Sequence, residues 1–345
     1  MNTQDNVCEC FACSIPNLDT IKIKKQNGRF TPQGSAAFNC LKNELTIENT
    51  DTDCIIRIND NAEILRPIQI INMLDGEENS NIQSKTTIIA GENSKITVLY
   101  CDDTLPKTEV CVENTLNVDM MPYSKVSFYK MENVNNQTSI NTKLNFELQA
   151  NSELQTFFIT LNGGKLSNNI KVIFKGDRAS ADLNGLYLMD RQQSVETVVD
   201  VCHYTNSCRS NQLFKGILDD EAKANFLGHI LVDYDAKNND ARQTNNNILL
   251  TDKAKVNTRP VLEIYNDDVQ CSHGATTGQL DEQALYYLRT RGISSKQAKM
   301  LLMNAFCQSV LLKSEIEELR NGFAEMIKKR LEGELSVENP FKINL

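Results

Sequence analysis

No stretch of this sequence is long and apolar enough to cross a bilayer: its hydrophobic residues, 40% of the chain, are scattered among a 23% charged fraction. That excludes a helical membrane protein and leaves an ordinary globular one. The opening run MNTQDNVCECFACSIPNLDT lacks a basic start followed by an apolar segment, so it is not read as a secretory signal, and a cytoplasmic or organelle-matrix location is expected. Positive charge is scarce as well. The net charge is -9 and no Lys/Arg cluster interleaved with aromatics offsets it, which argues against nucleic acid as a partner. Common catalytic signatures are also missing. The run NGGKLS at Asn162 to Ser167 lacks the spacing of a phosphate-cradling loop, so no nucleotide is expected to bind this chain. Neither a G-x-S-x-G elbow nor an H-E-x-x-H pair occurs, which removes the usual serine-hydrolase and zinc-protease readings.

Cysteine is present in an odd number, 11, spread irregularly through 345 residues, a pattern that points to free thiols or metal ligands and away from a disulfide framework. Residues 1–40 form a weakly patterned leader that carries Cys8, Cys10 and Cys13 in CECFAC, a spacing able to clasp zinc or an iron-sulfur cluster but equally at home in an irregular terminus.

From residue 41 to 279 the text is a succession of short alternating segments, such as ELTIEN, KITVLYC, KVSFYKM, KLNFEL and VLEIYND, each closed by Asn, Asp or Gly; these read as strands and turns. Small residues recur at the starts of such segments: Ser94, Ser124, Ser152, Ala179, Ala222 and Ala254. Their spacing, mostly about thirty residues, suits a β-solenoid whose coils stack on one another, with an antiparallel sandwich as the competing arrangement. Beyond Leu280 the period changes to about 3.6, and residues 280–333 read as a small helical domain, followed by a tail at 334–345. The first helix ends at Gly292; Ser294 with Gln297, and Ser314 with Glu317, have capping-box spacing. In the third helix Ile316, Leu319, Phe323, Met326 and Arg330 share one side. Packing of this domain on one end of the solenoid is expected, where it would cover exposed strand edges.

Only three histidines are available, His203, His229 and His273. His229 lies between apolar residues in FLGHILVDYD and reads as a satisfied core or turn residue. His203 sits beside Cys202 and ahead of Cys208, but this spacing matches no standard metal site, and a polar turn before NQLFKGIL is preferred, with Lys215 a solvated stem. The run NDDVQCSHGATTGQL is more suggestive. If it is extended, Val269, Cys271 and His273 point to one face, with the Cα atoms of Cys271 and His273 about 6.6 Å apart, and Gly274 lets the backbone turn away at the rim. Two donors cannot complete a four-ligand shell, so a metal there would recruit the rest, most naturally from a partner chain. A structural turn is the alternative.

The run from Ala241 to Ser294, ARQTNNNILLTDKAKVNTRPVLEIYNDDVQCSHGATTGQLDEQALYYLRTRGIS, closely resembles the SufB/SufD family of iron-sulfur cluster assembly scaffolds. RPIQIINML at Arg66 and CHYTNSCRSNQLFKGIL at Cys202 extend the resemblance over roughly Leu41 to Gly333, and the Cys-Ser-His-Gly form of DDVQCSHGATTGQLD is similar to the SufD branch. The resemblance implies a right-handed parallel β-helix followed by a helical domain. It implies a non-catalytic subunit that pairs with a SufB-like chain, or with itself when isolated, and that binds a SufC-like ATPase through the helices. Cys271 and His273 then fall on family positions at the SufB interface, as candidate ligands of a transient iron-sulfur cluster or iron shared with SufB; Leu262 and Val269 would line that joining edge. SufC contacts are expected between about Leu280 and Leu331, in the segment marked by Leu288, Gly292 and Leu301. Family members begin with a helical region for which the short leader here shows no counterpart. Two other readings are carried forward. One is a carbohydrate-active β-helix enzyme using paired acids such as Asp219 with Asp220 or Asp267 with Asp268, although adjacent residues point apart and suit solvated turns. The other is a homodimeric paralogue without cluster chemistry.

Overall fold

Period-two alternation between residues 21 and 278 becomes nineteen strands among the described residues. The computed structural model describes residues 15, 18–30, 43–50, 52–75, 80–105 and 108–333. The strands begin with β1 (Ile21–Gln26), β2 (Arg29–Phe30), β3 (Leu45–Asn49), β4 (Asp53–Ile58), β5 (Ile68–Leu74) and β6 (Ser80–Ala90). There follow β7 (Lys95–Thr104), β8 (Val110–Met120), β9 (Lys125–Asn133), β10 (Ser139–Leu148), β11 (Glu153–Asn162) and β12 (Lys165–Phe174). The series closes with β13 (Ser180–Met189), β14 (Ser194–His203), β15 (Arg209–Leu218), β16 (Lys223–Val232), β17 (Asn239–Leu249), β18 (Lys255–Ile264) and β19 (Val269–Gly278). Three helices follow among the described residues, α1 (Glu282–Thr290), α2 (Ser295–Leu311) and α3 (Glu317–Glu332). None of the described helices is long and apolar enough to cross a membrane.

Alternate strands pair in parallel, so the chain winds between two sheets. The first runs β19-β17-β15-β13-β11-β9-β7-β5-β1-β2 and the second β18-β16-β14-β12-β10-β8-β6-β4-β3. Only the short pairs β1/β2 and β3/β4 are antiparallel. This is a β-solenoid of about seven turns, as the periodicity suggests. The stack starts earlier than the expected boundary near residue 41, because β1 joins β5 in parallel register from Ile21 onward.

The recurrent small residues are all buried. They belong to two series of turns, which explains the long gap between Ala179 and Ala222: Ser94, Ser124, Ser152 and Ala179 precede strands of the first sheet, Ala222 and Ala254 strands of the second. Several follow a residue of positive φ, such as Asn93 or Asn151, that makes the corner. Their backbones carry the stack, Lys125 N–H donating to the Ser94 carbonyl and Glu153 N–H to that of Ser124. A larger side chain at such a corner would wedge the coils apart.

The sheets differ in their outer faces. In the second sheet β8, β10, β12 and β16 alternate, burying the lumen side and leaving the other exposed or half-buried. In the first sheet β7, β9, β11 and β13 are buried on both sides over most of their length. Such strands need a cover. Leu99, Tyr129, Met131, Phe157, Ile159 and Leu186 form one apolar cluster with Met303, Val310, Phe323 and Ile327 of α2 and α3. The helical domain therefore lies along the flank of the solenoid, where the apolar outer face of the first sheet draws it, and not on its end. Arg330 of α3 donates to the Leu161 carbonyl and pairs with Asp190 at 2.8 Å; the Tyr129 and Ser314 hydroxyls are 2.9 Å apart. This engagement of Ser314 corrects its expected role as a cap. Ile316 occupies the N-cap of α3 without a side-chain hydrogen bond, whereas Ser294 caps α2 by accepting from Gln297 N–H.

Candidate metal-ligand site on the terminal coil

The chain reaches its last coil at β18 and β19, and there the pattern of burial changes. Neither strand contains a single buried residue, whereas β14 and β16 bury every inward position. Among the described residues each has one neighbour only, β16 for β18 and β17 for β19, so two parallel edges with unpaired N–H and C=O groups face outward. Leu262 and Val269 are half-buried, packed on the small cluster of Ile230, Val232, Ala236 and Ala241 that closes the lumen from below. The end that the helices were expected to cover is open.

Cys271 and His273 lie on β19, in register with Ala241 and Gln243 of β17. Cys271 packs against the same closing cluster, which places this parity on the lumen side. The thiol is half-buried, and burial pushes its pKa above the ordinary cysteine value, with Asp240 adding to the shift and a backbone hydrogen bond from Ala241 opposing it. A thiol so held stays protonated at neutral pH until a metal displaces the proton. His273 is exposed. β19 continues in register through Gly274 to Gly278, so Gly274 does not turn the chain away as expected; a Cβ there would meet nothing within 4 Å. Among the described residues no three His, Cys, Asp or Glu side chains gather closely enough to hold a metal ion. Cys271 and His273 thus stand as two donor side chains on the rim, without a third beside them among the described residues.

The other histidines are placed elsewhere. His203 is not in a turn: it ends β14 facing the lumen, fully buried, its ring 4.4 Å from that of Phe174 and its Nε2 2.9 Å from the Ser210 hydroxyl. Burial depresses its pKa to about 4. Cys202, the preceding residue, has the opposite parity and is pushed up to about 11, first by burial and then by Asp200, while the Cys208 sulfur contacts Thr205 and the Gly176 carbonyl, so these three do not converge. His229 lies on the outer face of the second sheet and is satisfied at one nitrogen only, with Nδ1 2.7 Å from Asp200, while Nε2 makes no hydrogen bond and stands 3.5 Å from Glu263. Lys215 is not a solvated stem; its ammonium donates to the Phe306 carbonyl at 3.2 Å and lies over the Phe306 ring, tying β15 to α2. The paired acids stand in turns: Asp220 has φ 50° and accepts from Arg191 N–H, and Asp267 and Asp268 are exposed. Cys8, Cys10 and Cys13 lie outside the described residues. Leu288 is half-buried on α1, Gly292 follows that helix with φ 84°, and Leu301 on α2 is half exposed.

One feature escaped sequence reading. Deep in the lumen the Lys130 ammonium contacts Glu132 and the Asn168 carbonyl oxygen, with Asp102 at 3.9 Å. Asn72 and Asn114 donate to Asp102, and Thr160 and Asn168 to Glu132. Burial favours the neutral acid in both, yet Lys130 and these donors hold Glu132 below its ordinary value, while Asp102 stays above it. The signal was available: Lys130 and Glu132 share the inward parity of Val126 and Phe128 in SKVSFYKMEN.

With this geometry in view, residues 72–306 match the family model described as SUF system FeS cluster assembly, SufBD core domain. The chain belongs to the SufBD family. Its match runs from within β5 to within α2, enclosing the terminal coil. Among SufBD relatives, the iron-sulfur cluster assembly protein SufD of Escherichia coli is 36% identical over 50% of this chain and 41% of its own length. A SufBD-family protein of Synechocystis is 33% identical over 49% of this chain and 37% of its own length. SufD of Bacillus subtilis is 22% identical over 79% of this chain and 62% of its own. The chain thus spans less than half the length of the first two.

Proposed function

We propose that the chain is a non-catalytic, SufD-like scaffold subunit for iron-sulfur cluster assembly, joined through its terminal coil to a SufB-like subunit and through its helices to a SufC-like ATPase. The observation that carries this reading is the open last coil: two unpaired parallel edges, half-buried Leu262 and Val269, and a thiol and imidazole two residues apart. Edges of this kind invite strand addition, and their apolar residues gain burial only against another chain. Cys271 and His273 supply part of a coordination shell for nascent cluster or iron, here the cargo, and the partner supplies the rest. Leu288, Gly292 and Leu301, with exposed Tyr286 and Tyr287, form the surface offered to the ATPase. Membership of the SufBD family and the names of its relatives support this assignment. A carbohydrate-active enzyme has little support, since the acid pairs sit in turns and the Asp219 and Asp220 carboxylates accept backbone N–H bonds there.

The test is anaerobic reconstitution of the chain with SufB-like and SufC-like subunits. His273→Ala and Cys271→Ala should each lower bound iron by about tenfold or more, and unchanged iron and sulfide in both would remove the ligand role. Leu262→Asp should weaken joining to the SufB-like subunit by about a hundredfold in Kd, because a buried unpaired charge costs about 3 kcal/mol. A complex of undiminished mass by light scattering at micromolar concentration would place the joining edge elsewhere.

A further inference from the structure

The turns that lead from the second sheet into the first recur once per coil, and their exposed residues change toward the open end. Among the described residues, the earlier turns carry one exposed tyrosine, Tyr123, among small and polar neighbours. The last three carry Tyr204, Tyr234 and Tyr265, exposed by 48%, 68% and 47%. The Tyr234 and Tyr265 rings stack with centroids 4.7 Å apart, yet both stay open to water. Apolar residues scattered singly on a surface need no explanation, whereas aromatic rings gathered on successive turns mark an interaction surface. These turns are also held in place. Asn266 donates to the Tyr234 carbonyl at 2.5 Å and accepts from Asp268 N–H, and Asn238 N–H donates to the Asp268 carbonyl. A partner meets a preformed surface, with little ordering cost on this side.

Charge decides what covers these rings. Asp233 and Asp235 flank Tyr234 in sequence, Asp267 and Asp268 follow Tyr265, and none of the four carboxylates is paired with a cation among the described residues. On earlier coils surface acids do find lysines, as Glu153 finds Lys125 and Glu147 finds Lys175. The faces of aromatic rings are negative, as are the carboxylates, so this corner favours a cation over an apolar or acidic group. A guanidinium meets both features, since it stacks flat on a ring while its edge donates to carboxylates; an ammonium is a strongly hydrated point charge. The chain itself holds an example of the contact, Arg291 lying 5.1 Å from the centre of the Tyr287 ring. Every arginine of the chain is among the described residues and none pairs with these four carboxylates, so the guanidinium comes from another molecule. We infer that the tyrosine corner beside the terminal coil is a docking surface for an arginine-bearing segment of a partner protein.

Fluorescence anisotropy of a labelled hexa-arginine peptide, titrated with the untagged full-length chain at low salt, provides the test, with hexa-lysine as the equally charged comparison. Hexa-arginine should bind about tenfold more tightly than hexa-lysine. Tyr234→Leu with Tyr265→Leu, which keeps the apolar bulk and removes the ring faces, should lower the arginine affinity about tenfold and abolish the preference. Asp233→Asn with Asp235→Asn should weaken both peptides, and Tyr123→Leu, on an earlier turn, neither. A second measurement needs no variant: with 13C-labelled tyrosine, the ring signals of Tyr234 and Tyr265 in wild type should move on addition of hexa-arginine while those of Tyr123 stay in place. Equal affinity for the two peptides, equal binding by wild type and the tyrosine variant, or unmoved ring signals would each overturn the inference. So would a wild type that is dimeric by light scattering and becomes monomeric in the tyrosine variant, which would assign the corner to a second copy of this chain.

Discussion

The middle of the lumen and its last two coils contain polar residues on the same inward columns, yet they treat them in opposite ways. Around Lys130 the ammonium pairs with Glu132 and stands 3.9 Å from Asp102, and neighbouring amides and a hydroxyl donate to both carboxylates, so most of the cluster's polar atoms bond one another. Around Gln212 and Gln243 the amides go without partners, and above them the described stack of coils ends in edge strands β18 and β19, the latter with Cys271 and His273. A polar cluster whose members bond one another favours one winding of the coils, whereas a buried amide left unpaired costs stability. The two regions therefore differ in the partners their inward polar groups find, and residue type alone does not reveal that difference.

The largest test of this contrast is to break the closed network. Lys130→Met would leave Glu132 and Asp102 facing each other without a cation, and loss of one partner of a buried pair costs about 3–5 kcal/mol. Denaturant unfolding should register that loss in full. The double change Cys271→Ala with His273→Ala should move the same midpoint by no more than about 0.5 kcal/mol, since both groups lie on an unburied coil. A severe loss on the terminal coil would mean that its donors serve the fold.

His203 gives a smaller effect with a defined direction. Its pKa is about 4 in the folded chain against about 6.5 when exposed, so between these values the unfolded chain holds a proton that the folded one does not. Stability from this residue is therefore fully present above about pH 6.5 and is lost as pH falls toward 4, by about 3 kcal/mol in total. Thermal unfolding of wild type and His203→Gln at pH 7 and pH 5 separates it from the carboxylates, because their contribution cancels in the comparison. An equal pH dependence in both proteins would show that the buried imidazole finds a proton at little cost.

Much of this arrangement was legible in the sequence. Period two, the turn residues and the small corner residues identify stacked strands, and the shift to period 3.6 beyond Leu280 marks the helices. The position of the helices was misjudged because the outer face of the first sheet was not read separately: LQTFFITL in β11 is apolar at both parities, the mark of a strand covered on both sides. The Ser314 cap failed for a tertiary reason, its hydroxyl being engaged by Tyr129, a residue 185 positions away. Within the site, Cys271 and His273 stood out by type and parity, but the inward column that Gln212, Gln243 and His273 share could not, because only the coil register brings these residues into line.

The finest distinction is expected from Gln212. Its carboxamide is buried without a partner and, unlike that of Gln243, is separated from the rim by a further coil, so it contributes neither to a closed network nor directly to the terminal donors. Replacing it with Leu removes the unpaired amide and keeps most of the volume, which should raise the unfolding free energy by about 1 kcal/mol. The same change at Gln243, whose amide is likewise buried without a partner, should give a similar gain. A clearly smaller gain at Gln243 would show that its amide finds a partner in solution; a loss at Gln212 would show that the closed part of the lumen extends one coil further than its hydrogen bonds suggest.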